Sequence, residues 1–334
     1  MINLIRLVIV FLKLNLFTKT LSKELEMNEI EEKEVRQKEE RQKCLNHWLK
    51  EAVISGSFEF AKQFLEEGAD DKVRDGDKTL LMIAATLESE VGCKIGELLI
   101  AKNADVHAHG DKGKTAFMYA TLCNNINFMR LLLKHEAEIN AVDDEGQSAL
   151  LLSYHQEKET ADFLVSQGAD LSIRDKRGQN ILMLSSSIGT PETCAYYISK
   201  GCDPYEKNKE GQNALMIAIV NKNRKVVEFY VSINMDLDTV NNDGETPLMT
   251  VAEMGDLELC TLFVDHRANI NAKDNCGRTA LIAAGDKAAV VDFLLHKNAY
   301  HHVKHDNGYT ALAFAKCNKY KETIKVLKKF GVKK

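Results

Sequence analysis

Apolar residues along this chain come in short blocks that share one polar punctuation. "GDKTLLMIAA", "KGKTAFMYAT", "EGQSALLLSY", "RGQNILMLSS", "EGQNALMIAI", "DGETPLMTVA", "CGRTALIAAG" and "NGYTALAFAK" each place Thr, Ser or Asn directly before an apolar run. Those marks are Thr79, Thr115, Ser148, Asn180, Asn213, Thr246, Thr279 and Thr310, spaced by 36, 33, 32, 33, 33, 33 and 31 residues. Thr, Ser and Asn side chains accept a backbone N–H at a helix N-cap. Pro247 follows Thr246 at the first helical position, where a missing N–H costs nothing. A short apolar helix is therefore predicted at each mark. A second apolar stretch follows, as in "MRLLLKHEAEINAVD" from Met129, "ADFLVSQGADLSIRD" from Ala161 and "CTLFVDHRANINAKD" from Cys260. There Leu and Phe recur at helical spacing until a Gly, Asn or other polar residue ends the helix. A polar tail then runs into the next D-x-x-G turn. One such unit cannot bury its own apolar face, so neighbours must stack.

These blocks resemble the ankyrin repeat, matching G-x-T-P-L-x-x-A-A and the later L-L-x-x-G-A. Nine units are expected, with first-helix cores near residues 48, 79, 115, 148, 180, 213, 246, 279 and 310. The fold class is all-α, a solenoid of stacked helix-turn-helix units with short β-hairpin-like loops, running from about Leu45 to Lys329. The domain reading is an apolar segment at 1–26, a charged lead-in at 27–43 and the array at 44–334. In the first unit, "HWLKEAVISGSFEFAKQFLEEGAD", Lys50 and Glu51 replace apolar residues, as expected of a terminal repeat facing water. At the other end Lys316, Lys319, Lys321, Lys325, Lys328 and Lys329 read as a solvated cap.

The resemblance implies a histidine three residues after the cap. Here that position reads Met82, Met118, Leu151, Met183, Met216, Met249, Ile282 and Ala313, taking half of the ten methionines. A Met-lined binding stripe is one reading. Packing between neighbouring units is the preferred one, because that phase faces the next unit. The eighth unit is expected to be the weakest: its spacing is the shortest, and Gly285 and Asp286 should shorten its first helix.

Composition narrows the function. A net charge of −5 gives no global reason to expect nucleic acid or an anionic membrane as partner. The eight cysteines form no C-x-x-C pair, which excludes zinc-ribbon and thioredoxin readings and suits reduced thiols in the cytosol or nucleus. His296, His301, His302 and His305 crowd one stretch, yet an exposed polar turn explains them, so no metal site is assigned. No Gly-rich phosphate loop, nucleophile elbow or H-E-x-x-H helix is present, and neither a catalytic residue nor a cofactor is expected.

"MINLIRLVIVFLKLNLF" at the start is apolar but broken by Arg6 and Lys13, too short between charges to span a bilayer. Three readings stand for it. It is a signal peptide, an amphipathic membrane-surface helix formed by residues 1–17, or an ordinary upstream extension before Met27. A targeting role for residues 1–20 would make the protein secreted or membrane-associated. The cytoplasmic reading is preferred over that alternative.

Resemblance to ankyrin arrays implies a non-enzymatic scaffold or adaptor that binds a protein through its concave face and hairpin tips. The residues closing the first helices are the expected contacts: Leu87, Leu122, Cys123, Ile188, Val220 and Met254. Lys112, Lys176, Arg177, Glu210, Asp243 and Arg278 on the tips form the expected polar rim.

Overall fold

The computed structural model describes Met27, residues 31–155 and residues 158–332. The readings of segment 1–26 lie outside these residues. Helix follows helix in pairs. Residues 31–54 (α1) precede α2 (Phe58–Glu66), and α3 (Leu80–Ala85) pairs with α4 (Ser89–Ala101). The third pair is α5 (Ala116–Leu122) and α6 (Ile126–Lys134). Next come α7 (Ala149–Leu152) with α8 (Lys158–Ser166), and α9 (Ile181–Ile188) with α10 (Pro191–Ser199). Then α11 (Ala214–Val220) precedes α12 (Arg224–Ser232), and α13 (Pro247–Met254) precedes α14 (Leu257–Asp265). The last pairs are α15 (Ala280–Ala283) with α16 (Ala288–His296), and α17 (Ala311–Cys317) with α18 (Lys321–Lys329). The pairs gather into two compact units, one holding residues up to Asp111 with Thr115–Ala137, the other Lys112–Lys114 with the chain from Glu138 onward.

Each mark read from the sequence caps a first helix. Thr79, Thr115, Ser148, Asn180, Asn213, Thr246 and Thr310 all accept the backbone N–H three residues on. Thr279 is the exception, since its side chain caps nothing and its buried hydroxyl finds no hydrogen-bond partner in the protein. Most helices are followed by a left-handed residue: Asn124, Lys222, Gly255 and Lys319 after first helices, Asn103, Glu136, Gly168, Gly201, Asn234, Arg267 and Asn298 after second ones. Asparagine and glycine tolerate that conformation best, which explains their recurrence at the breaks.

The expected hairpins are mostly something else. Only β1 (Arg74–Asp75) and β2 (Lys78–Thr79) pair as strands, with one isolated bridge between Val142 and Ser148 among the described residues. In the second unit the turns are held by side chains. Oδ1 of Asp143, Asp175, Asn208, Asn241 and Asp274 each accepts backbone N–H groups two and four residues on. A backbone N–H next to each turn then reaches back to the previous one. Asp144 donates to the Lys112 carbonyl at 2.9 Å, Lys176 to Glu145 at 2.9 Å, Lys209 to Arg177 at 3.0 Å, Asn242 to Glu210 at 3.0 Å, Asn275 to Asp243 at 2.9 Å and Asp306 to Cys276 at 2.9 Å. Gly211 shows how close the turns lie, for a Cβ there would sit 2.5 Å from the Asn242 nitrogen, and its φ of +76° is left-handed besides.

The methionine phase is buried. Met82, Met118, Met183, Met216 and Met249 are all shielded from solvent, as are Leu151 and Ile282, while Ala313 in the last repeat is half-exposed. This is the pattern of residues that face the next unit. Met82 also keeps a trace of the polar link implied for a histidine: its sulfur accepts the Thr79 N–H at 3.4 Å. The next turn presses on it, because a Cβ on Gly110 would lie 2.5 Å from that sulfur.

Two features of the ends and of the helix lengths differ from expectation. The fourth unit's first helix, α7, is as short as α15, although only the eighth was expected to be shortened. Ser148 still caps α7 and bridges Val142, whereas Thr279 does neither for α15. The first repeat is also not a polar cap. Lys50 sits at the phase facing the next unit and bonds Asp75 at 3.2 Å, while the opposite face carries aromatic residues. Residues 31–43 form an exposed helix continuous with the first repeat.

Truncating Met118, Met183 or Met249 to Ala should each cost about 2–5 kcal/mol, the range for emptying a fully buried site. Urea denaturation of the single variants checks this; costs near zero would mean the sites collapse freely. The uncapped α15 predicts that amides in 281–329 exchange faster than those in 181–265. Hydrogen exchange decides it, and equal protection would show that the lost cap is absorbed.

Candidate partner-binding surface

A first helix of this length exposes little besides its last residues. In α9 everything from Ile181 to Ser186 is buried, and in α11 everything from Ala214 to Ile219. Ile188 and Val220, which end those helices, are 60% and 50% exposed. They belong to adjacent repeats of the second unit, so the structure places two large aliphatic side chains in water where buried ones precede them. Met254, closing α13, is half-buried. It lines a cleft of about 330 Å³ with Ile219, Val227, Leu259, Lys222 and Arg224. In the first unit Cys123 is exposed, but Leu87 and Leu122 are half-buried. The Leu87 carbonyl is taken by Asn125 Nδ2 at 3.2 Å, tying that corner to the next repeat.

These residues fall on two phases. Leu122 and Val220 lie seven residues after their caps, whereas Leu87, Cys123, Ile188 and Met254 lie eight after. They form two offset rows and no single stripe. Further exposed apolar residues went unforeseen, among them Tyr205, Ile233, Val240 and Leu257. Tyr205 and Val240 sit in the polar tails. Only a phase-by-phase comparison of those tails could have singled them out.

The turn tips are charged and exposed at Lys112, Lys176, Arg177, Glu210 and Asp243. Arg278 is different. Its guanidinium bonds Asp274 at 2.7 Å and also Glu245 of the preceding turn, so it is spent on joining turns. Lys114 pairs with the buried Asp143 at 2.9 Å, and Arg224 with Asp256 at 2.8 Å and Glu258 at 2.6 Å. The tips precede the first helices, and Ile188 and Val220 end them. At 1.5 Å per residue the two sets lie roughly 10 Å apart along the helix axis. Anything touching both must cover the whole length of the first helices.

No grouping of three or more His, Cys, Asp or Glu side chains suited to a metal occurs among the described residues. His305 uses its ring in the turn, where Nδ1 accepts the Asn307 N–H at 3.0 Å, in place of the carboxylate or amide of other turns. All eight cysteines are free. Burial pushes the Cys202 thiol up to about 11 and the Cys260 thiol up to about 12, and raises Cys194 as well, so these three stay protonated and unreactive. Among the described residues no helix is long and apolar enough to cross a membrane.

Capped helix pairs at a near-constant period, joined turn to turn, define a helical repeat array. The chain belongs to the ankyrin-repeat family: the model for ankyrin repeats (3 copies) matches residues 49–143, 81–175, 150–236 and 226–305. It is 33% identical over 86 residues to rat Ankyrin repeat and SAM domain-containing protein 6, which covers 25% of this chain and 10% of that protein. A putative ankyrin repeat protein of Acanthamoeba polyphaga mimivirus is 29% identical over 146 residues, covering 38% of this chain and 23% of the viral protein. The chain thus spans under a quarter of the length of either relative. Among solved structures, the ankyrin repeat domain of Bcl-3, of the IkappaB protein family, matches with a TM-score of 0.56 at 23% identity, over 65% of this chain and 99% of that one. Ankyrin repeats are in general protein–protein interaction modules.

The burial pattern predicts the thiol chemistry. In the folded chain Cys44, Cys123, Cys276 and Cys317 should react promptly with a thiol reagent, while Cys194, Cys202 and Cys260 wait for unfolding. Mass mapping of the labelled peptides checks this, and prompt labelling of the buried set would contradict their packing.

Proposed function

We propose that this chain is a non-enzymatic scaffold or adaptor that binds a protein through the ends of its first helices and the turn tips. Its compartment would be the cytoplasm. The observation that carries the reading is the exposure of Ile188 and Val220 on adjacent repeats whose helical residues 181–186 and 214–219 are buried. Large aliphatic side chains held in water at neighbouring positions are the usual mark of a contact surface. Met254 beside its cleft extends that surface, and Lys112, Lys176, Arg177, Glu210 and Asp243 supply a mixed-sign rim that favours one orientation of the partner. Cys123, Leu122 and Leu87 offer a smaller contact of the same kind in the first unit. Arg278 contributes by holding its turn in place. Free cysteines throughout support a reducing compartment. Fold alone does not establish function, so the argument rests on these side chains.

Replacing Ile188 and Val220 together by Asp should abolish partner capture while leaving the helical circular dichroism unchanged. Reversing Lys176 and Arg177 to Glu should slow association and change its salt dependence, with a smaller loss of affinity. Affinity capture with the full chain and both variants, read by mass spectrometry, tests this. An identical set of captured proteins for the wild-type chain and the Asp double variant would sink the proposal.

A further inference from the structure

The repeats reveal which second-helix positions look backward along the array. Phe128, the third residue of α6, lies against α4, since a Cβ on Gly96 would meet its ring at 2.6 Å. Tyr230, the seventh residue of α12, hydrogen-bonds Ser186 of the preceding repeat at 2.6 Å. The seventh position is buried in every later repeat: Leu99, Leu132, Leu164, Tyr197, Tyr230, Phe263, Leu294 and Leu327. At the third position Ile95, Phe128, Thr160, Val226, Leu259, Val290 and Thr323 are buried too, and Thr193 half-buried. The residue after each first-helix cap, from Leu80 to Ala311, behaves the same way.

In the first repeat these three positions are Trp48, Phe60 and Phe64. Trp48 is 54% exposed and Phe60 58%, with Phe64 half-buried and stacked on Phe60 at 6.4 Å between centroids. The last repeat closes its own open side differently, with Ile324 half-buried and Lys328 in water at the forward-facing positions. One end of the array is therefore finished with a polar residue, while the other presents two phenylalanines and the chain's single tryptophan.

We propose that the apolar segment Ile2–Phe17 of this same chain covers that face, packing on Trp48, Phe60 and Phe64 where a preceding repeat would lie. Arg6 and Lys13 are seven residues apart, a spacing that puts both on one side of a helix and leaves the far side to Leu4, Val8 and Phe11. Trp48 stands seventeen residues into α1, about 26 Å from its start at 1.5 Å per residue. Residues 18–30 can span up to about 43 Å, enough to double back that far. A tethered segment also acts at an effective concentration in the millimolar range, which favours it over a second copy of the chain.

The single tryptophan makes the test direct in the full chain. Trp48 emission should be that of a shielded indole, resistant to iodide and independent of protein concentration. The Leu4→Glu/Val8→Glu/Phe11→Glu variant should shift it to the red and restore quenching, with the array's circular dichroism retained. A water-exposed Trp48 in the unmodified chain overturns the proposal, as does shielding that survives the triple substitution. Shielding that grows with protein concentration would assign the face to a second copy and overturn it too. So would co-flotation of the full chain with phosphatidylcholine–phosphatidylserine vesicles while Trp48 stays quenchable, which would assign the segment to lipid.

Discussion

The turn between repeats is the constraint on which the rest of the second unit depends. A short Asp or Asn side chain accepts backbone N–H groups two and four residues on, which closes the turn without a strand partner. That closure leaves one backbone N–H of each turn pointing at a carbonyl of the turn before, where it donates at about 2.9–3.0 Å from Asp144 through Asp306. Because these are backbone groups, the ladder tolerates any side chain at the tip. Sequence variation at Lys112, Glu145, Arg177, Glu210, Asp243 and Cys276, whose carbonyls are the acceptors, therefore costs the stack nothing. Within the second unit, the period fixed at the turns is also what brings Met183, Met216 and Met249 under the next repeat.

Methionine in place of a polar histidine shifts the balance from directional bonds to dispersion. A buried thioether is unbranched and fills irregular gaps, so it tolerates the unequal spacing of these repeats better than an imidazole needing fixed partners. Direction is then supplied elsewhere. Asn223 Nδ2 donates to the Gly189 carbonyl at 2.9 Å, Asn125 to Leu87, and Ser186 meets Tyr230. The ion pairs Lys114–Asp143, Arg174–Glu206 and Arg278–Glu245 add links at the turns. Orientation between repeats is thus set by these polar side chains, and burial by the apolar ones.

Much of the fold was legible because N-caps are local. Thr, Ser or Asn before an apolar run commits a backbone N–H three residues away, and nothing distant can easily override it. Thr279 shows the limit: the same residue type at the same mark leaves its hydroxyl without a partner, although Ser148 caps an equally short helix. The short α7 was not legible, because Ser148 and its apolar run look regular and the helix stops only afterwards, at Ser153. Of the surface, the tips could be placed from the D-x-x-G pattern, whereas Arg278 could not be told from a free tip residue. Its engagement depends on Glu245, thirty-three residues earlier. Leu87, Leu122 and Met254 share apolar character with Ile188 and Val220, but their exposure is decided by what the neighbouring repeat brings near them.

The first repeat carries the same lesson to the end of the array. Lys50 and Glu51 made it look like a water-facing cap, yet a helix in such a stack has separate phases for the repeat before, the repeat after and the solvent. Lys50 lies on the forward phase, where it reaches Asp75, and Glu51 on the solvent phase. Neither reports on the backward phase, which Trp48, Phe60 and Phe64 occupy. Charge content alone therefore cannot identify a cap. What identifies one is polarity at the phase that lacks a neighbour, a condition Lys328 meets at the last repeat and the aromatic trio fails at the first. Since stability in a repeat array is a sum of nearest-neighbour interfaces, whatever covers those aromatics adds a complete interface to the first unit, and its removal would loosen that end before any other part of the unit.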